Sequence, residues 1–330
     1  MQKSISRYIS AFSVTGREHA LAEIIAADMQ PVCDEIHTDA MGNLICFKKG
    51  KDHSKKLMIA SHMDEIGLVV TFIEKNGFIR VANVGGINAI ASSAHKVVFE
   101  NGTKGVVVMQ PNVKENQKAT DLLVDIGASN YAEAARKVKV GDVCAIMQAI
   151  QRLGTHRVAA KALDDRICCA ISYEAALKAE TPAYDTYYVF TVQEEVGCRG
   201  SKAAANTIEP DYAIALDVTP CGDVPGSPTL PVTLGGGAAV KVKDASVVCS
   251  HMLNERLVSL AKEHGTKWQY EVLTAGGTDT SSMQIAGDGC HATCISLPTR
   301  YVHTPVETFD LRDFDACVEL LCAFITEGIG

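Results

Sequence analysis

Apolar positions divide the chain into stretches of different texture. After Ser13-Val14-Thr15-Gly16, apolar side chains recur at Leu21, Ile24, Ile25 and Met29, the spacing of one helix face, and Glu18 and Glu23 stand where a helix start favours negative charge. Asp39-Ala40-Met41-Gly42-Asn43 reads as a turn into a strand at 44–47, and the charged stretch 48–56 as a loop before a second strand at 57–60. From about 67 to 156 the pattern becomes short β-rich runs, at 68–72, 78–81, 96–99, 105–109 and 143–149, broken by Asn-Gly and Gly-Gly turns and by one Ala-rich helical stretch at 131–138. That predicts a small barrel or sandwich set into a larger domain. The α/β texture then resumes: a helix through Ile167, Ala170, Ile171 and Leu177, a buried strand at 187–192, a short helix at 202–205 and a buried strand at 211–220. A helix over about 250–263, a strand at 293–297 and a closing helix from about 311 complete it.

Composition narrows the classes. A chain of 330 residues exceeds one comfortable core, so one large domain with an insert, or two domains, is expected. Hydrophobic residues at 47% and charged residues at 21% leave no basis for disorder. The net charge of -8, without any Lys/Arg cluster, argues against nucleic acid as a partner. No apolar run approaches ~18 residues and the N-terminus carries no signal-like core, so no membrane and a cytoplasmic location are expected. The 12 cysteines are scattered through apolar segments (Cys168, Cys169, Cys317, Cys322) and read as reduced, buried thiols. Cys290-His291-Ala292-Thr293-Cys294 looks like half a zinc site, but its spacing is wrong and no second pair follows. Gly235-Gly236-Gly237 lacks the Lys-Ser/Thr and helix of a phosphate loop.

Candidate chemistry gathers where buried strands stop. The strand at 187–192 ends in Gln193-Glu194-Glu195-Val196-Gly197, and two neighbouring carboxylates can divide metal binding and proton transfer between them. Taken alone, such a pair is more often a solvated turn. The strand at 57–60 delivers His62 and Asp64, a carboxylate two residues from an imidazole that it can orient. Asp164-Asp165 opens a helix, where capping competes with the chance of offering one carboxylate to each of two metals. Asp217 ends the strand at 211–220, which makes three strands that end in acids.

Together, His62-Met63-Asp64-Glu65-Ile66-Gly67, Leu163-Asp164-Asp165-Arg166, Val192-Gln193-Glu194-Glu195-Val196-Gly197, Ala215-Leu216-Asp217, Gly276-Gly277-Thr278-Asp279 and Arg300-Tyr301-Val302-His303-Thr304-Pro305 resemble the motif set of the cytosolic dinuclear-metal glutamyl/leucyl aminopeptidases, which assemble as tetrahedral dodecamers. The resemblance runs nearly end to end. It implies an α/β, mixed-sheet, phosphorylase/hydrolase-like catalytic domain (1–66 and 157–330) with an inserted small β-barrel dimerisation domain (67–156). It implies two divalent metal ions, zinc or cobalt with manganese also possible. His62 and Glu195 would sit on different ions, Asp164 would bridge them, and Asp217 and His303 would complete the two shells. Glu194 would be the general base and Asp64 would orient His62. It also implies a cis Asp164-Asp165 peptide, peptide substrates and a homo-oligomer of dimers assembling to a dodecamer.

Two departures from the family pattern concern the surroundings of the site. Gly235-Gly236-Gly237-Ala238-Ala239-Val240 replaces a Gly-Lys-Gly-Pro-like stretch, which would alter the substrate wall, and a His common after Gln110-Pro111 is missing. Cys198 and Cys221 flank the metal motifs and could make the site redox-sensitive. A deacylase or carboxypeptidase using the same metal pair, and a metal-binding scaffold without catalysis, remain alternatives.

Overall fold

The structure is a computed structural model that describes residues 3–113 and 115–330. Its backbone is an 11-stranded mixed sheet. Four strands at the centre, Tyr184–Thr191, Asp52–His62, Tyr212–Pro220 and His291–Arg300, run parallel. Antiparallel strands Leu44–Lys48 and Glu35–Thr38 extend one side, and Glu307–Asp310, Arg157–Ala160 and Gln151–Leu153 the other. Ala238–Lys243 and Trp268–Val272 branch from His291–Arg300.

Alternation along the central strands explains why both faces are covered. Leu57, Ile59, Ile214, Leu216, Ile295 and Leu297 face one way, into a core with helices Lys3–Ser10, His19–Met29, Leu163–Lys178, His251–His264 and Leu311–Glu327. Met58, Ala60, Ala213, Ala215 and Cys294 face the other, onto the small side chains Ala204 and Ala205 of helix Arg199–Ile208 and onto Met283. The near-continuous apolar runs at 57–60 and 211–220 are therefore strands buried on both sides.

Residues between Gly67 and Met147 supply a closed six-strand barrel with its own core, including Leu68, Val81, Phe99, Val107, Val124 and Ile146. Leu122–Asp125 is a barrel strand that the sequence pattern did not predict. The predicted loop at 48–56 is shorter than expected: the strand begins at Asp52 and pairs with Tyr184 across an irregularity in register, its first residues being exposed and polar. Ladder hydrogen bonds there come from the backbone, which charged side chains disguise. The predicted helix at 202–205 is the middle of a longer one, Arg199–Ile208. Among the described residues, no helix is long and apolar enough to cross a membrane.

Candidate metal centre

The site lies at the carboxyl ends of the parallel strands, where loops of adjacent strands converge. His62 and Thr191 end their strands side by side in register, so Glu194 and Glu195 emerge next to His62. Asp217 comes from the neighbouring strand Tyr212–Pro220. Asp164 and Asp165 open helix Leu163–Lys178 with non-helical backbone angles, and the peptide between them is cis. His303 lies in the turn between His291–Arg300 and Glu307–Asp310.

Asp164 stands between two histidines. Its Oδ1 is 3.0 Å from His62 Nε2 and its Oδ2 3.3 Å from His303 Nε2. Glu195 Oε2 lies 3.5 Å from His303 Nε2, and Glu194 Oε2 3.9 Å from His62 Nε2. Donor atoms of His62, Asp164 and Glu195 fall within 4.8 Å of one another, as do those of His62, Asp165 and Asp217. Buried Asp165 Oδ1 and Glu195 Oε1 have no hydrogen-bond partner.

The electrostatics carry the mark of crowded anions. Burial, reinforced by Asp279, Glu195 and Asp164, raises Glu194 to about 8, and burial with Asp164 raises Glu195 equally. Burial also pushes Asp165 and Asp217 well above the carboxylate range. Burial acts on Asp164 in the same sense, but His303 and His62 overcome it and hold that group low. The hydrogen bond to Asp164 lifts His303 to about 10. Buried carboxylates against two imidazoles, with oxygens left unpaired, are a donor set that fits divalent cations of the zinc, cobalt or manganese type.

A second layer fixes these groups. Asp64 accepts the backbone N–H of Glu194 at 3.0 Å and of Glu195 at 3.2 Å, and the Thr15 hydroxyl at 2.8 Å. Burial would raise Asp64, but His62 and these donors keep it below the usual range. His62 Nδ1 is closer to the Asp64 carbonyl, at 3.1 Å, than to its carboxylate, at 3.4 Å, so the backbone of Asp64 shares the orienting of the ring. Glu18, expected to serve the helix start, instead accepts the N–H of Gln193 at 3.2 Å. Asp279 accepts the Thr191 and Ser201 hydroxyls. Five non-glycine residues around the site, Ala162, Gln193, Cys198, Tyr301 and His303, hold positive φ between 51° and 62°. Such backbone is strained by ~1–3 kcal/mol each and persists where its surroundings enforce it.

The fold thus gathers His62, Asp64, Asp164, Glu194, Glu195, Asp217 and His303 in one place. Asp165 joins them, contributing to the group with His62 and Asp217 and accepting the His62 N–H at 3.2 Å; its signal in the sequence was the doubled acid. Glu307, whose carboxylate accepts the backbone N–H groups of Asp164 and His303, had no such signal. The barrel-forming stretch reaches the site through Gly85 and Gly86: a Cβ on Gly86 would run into the His303 ring, and one on Gly85 would lie 3.1 Å from Glu195 Oε2.

Other expectations resolve differently. Cys198 Sγ donates to Glu194 Oε1 at 3.2 Å, whereas Cys221 packs with Val232, Leu234 and Ala239. Burial raises both thiols, Cys221 to about 12, a direction that disfavours the thiolate. None of residues 235–240 lines the cleft, which this segment reaches only at Lys241; Gly235 and Gly237 instead donate to Asp313.

A strand-end cluster of imidazoles and carboxylates, opening into a cleft of about 890 Å³, defines a hydrolytic enzyme of the metallopeptidase type. The chain belongs to the M42 glutamyl aminopeptidase family, whose sequence model matches residues 42–320. It is an aminopeptidase. A relative from Acetivibrio thermocellus is 41% identical over 320 residues, 96% of each chain. An aminopeptidase of Desulfurococcus kamchatkensis superposes with a TM-score of 0.95 at 36% identity, covering 98% of this chain and 94% of that one. The TET1 peptidase of Pyrococcus horikoshii, described as assembling into a tetrahedron or a large octahedral shell, gives 0.88 at 31% identity over 98% of this chain and 99% of that one.

Proposed function

We propose that this enzyme removes N-terminal residues from peptides with two divalent cations, zinc or cobalt foremost and manganese as a third candidate. His62 and Asp217 would hold one ion, His303 and Glu195 the other, with Asp164 bridging. The observation that carries this reading is Asp164 itself, which turns one oxygen to each histidine. Bound there, the ions supply an activated water and a polarised scissile carbonyl. Glu194, held by the Asp64–N–H bond and lining the cleft, takes a proton from the attacking water and returns it to the leaving amine. Asp64 keeps His62 and the Glu194-Glu195 turn in fixed relation.

The test is turnover of aminoacyl-p-nitroanilides after metal reconstitution. Glu194→Gln is expected to lower kcat by ~10²–10⁴-fold with metal content intact, as loss of a general acid–base does. Full activity in that variant removes Glu194 from the role. Equal turnover of N-acetylated substrates would favour a deacylase or carboxypeptidase, and a metal-loaded but inactive protein a scaffold.

The barrel carries exposed Phe72, Val106 and Tyr131, apolar surface suited to pairing with a second copy. This supports residues 67–156 as a dimerisation domain and a homo-oligomer, a dodecamer built of dimers, which light scattering on the purified protein measures. All 12 cysteines are unpaired, which supports a reducing, cytoplasmic location.

A further inference from the structure

Beyond the metal ligands the cleft is walled by apolar side chains, Val218, Leu273, Ile285 and Val302 among them, and by uncharged polar ones such as Ser246 and Gln284; among the described residues two lysines line it. Lys202 is exposed on the first turn of its helix, where solvent screens it. Lys241 is different: it lies in the wall beside the metal centre and is buried. A free ammonium there would select acidic N-terminal residues, the preference carried in the family's own description. Lys241 is not free. Its Nζ is bonded to the carboxylate of Glu271 and lies 3.7 Å from Asp244 Oδ2. Both acids are buried behind it and neither lines the cleft. Two carboxylates against one ammonium leave this wall without net positive charge, so an incoming carboxylate would lose its water for no compensating attraction. An incoming ammonium finds both carboxylates buried behind Lys241, so it too would lose its water without a charged partner exposed in this wall.

We propose that Glu271 and Asp244 lock Lys241 and thereby set the cleft for uncharged, apolar N-terminal residues, with Glu271 the specificity-determining residue that withholds Lys241 from acidic substrates. This rests on the aminopeptidase reading above. Freeing the ammonium would convert the preference: with Glu271 neutral, Lys241 keeps only Asp244 at 3.7 Å, too long for a hydrogen bond, and can turn a donor toward a substrate carboxylate, a charge-assisted bond in a water-poor wall.

The experiment compares kcat/KM of the metal-reconstituted enzyme on leucyl-, glutamyl- and lysyl-p-nitroanilide, in the wild type, in Glu271→Gln and in the double variant Glu271→Gln/Lys241→Met. Leucyl turnover in each protein normalises for the fraction folded. The wild type is expected to favour leucyl over both charged substrates. Glu271→Gln is expected to raise the glutamyl-to-leucyl ratio about tenfold, the size of one charge-assisted hydrogen bond of ~1.4 kcal/mol, and the double variant to lose that gain. A wild type that favours glutamyl or lysyl substrate overturns the proposal whether or not the variants fold, and so does an unchanged ratio in Glu271→Gln. A wild type that cleaves none of the three overturns the aminopeptidase reading itself.

Discussion

Glu307 Oε2 accepts the backbone N–H of Asp164 at 3.1 Å, and the other oxygen of the same carboxylate accepts the N–H of His303 at 2.8 Å. One buried side chain thus sets the backbone of two residues of the candidate site that are far apart in sequence. Glu307→Ala leaves both N–H groups unpaired beside the positive φ of His303. The expected loss is ~2–4 kcal/mol of stability, from two buried unsatisfied donors, together with ~10–100-fold weaker metal affinity, as for other outer partners of metal ligands. Denaturant titration and competition with a chelating dye measure the two effects.

Gly86 packs against the His303 ring, where an added Cβ would come within 2.7 Å of Cε1. Gly86→Ala must move the ring or the loop. Displacements of this order cost about 10²-fold in rate, so kcat should fall by that amount while the circular dichroism spectrum of the barrel-containing chain stays unchanged. Wild-type activity would mean that the barrel loop yields instead.

Metal removal should destabilise the protein, because Asp164, Asp165, Glu194, Glu195 and Asp217 then face each other with His62 and His303 as the counter-charges among them. Free cation at ~1,000 times its Kd contributes about 4 kcal/mol to the folded state. The expected outcome is a fall in Tm on dialysis against a chelator, reversed by zinc, cobalt or manganese and left uncorrected by magnesium, which prefers all-oxygen shells. Calorimetry with and without each ion checks it.

Away from the site, Arg300 binds Asp223 through two nitrogens at 2.8 and 2.7 Å. The hydrogen bonds to Arg300 hold Asp223 below its ordinary value, with burial opposing. The folded pKa is depressed, so the stabilisation is present above the unfolded value of ~4 and is lost as pH falls through the folded one. Asp223→Asn should cost about 1 kcal/mol at pH 6–7, the size of a partly exposed ion pair with good geometry. The Tm difference from wild type should narrow as pH falls below the unfolded value of ~4.

Legibility in the sequence followed the range of the interaction that decides each feature. Tyr187 to Val192 read as a buried strand because its run of β-branched and aromatic residues is a local signal, and the closing helix at Leu311–Glu327 read correctly because its apolar spacing is local too. The stretch 48–56 misread because exposed lysines say nothing of backbone pairing with Tyr184. Leu122–Asp125, a four-residue strand between turns, carried too short a pattern to register.

What the sequence determined by itself was the set of acids and histidines at the ends of apolar runs, since a buried strand must stop somewhere and polar groups there meet both the core and solvent. Only the tertiary structure decided how those groups share the work. It places Asp164 between His62 and His303, turns Glu18 from a helix start to the Gln193 backbone, and hands Asp164 and His303 to Glu307. It also pairs Lys241 with Glu271, 30 residues on. The reason is physical. Whether a buried charge is free, paired or crowded depends on distances of a few ångströms across separate strands, and those distances exist only once the sheet has assembled.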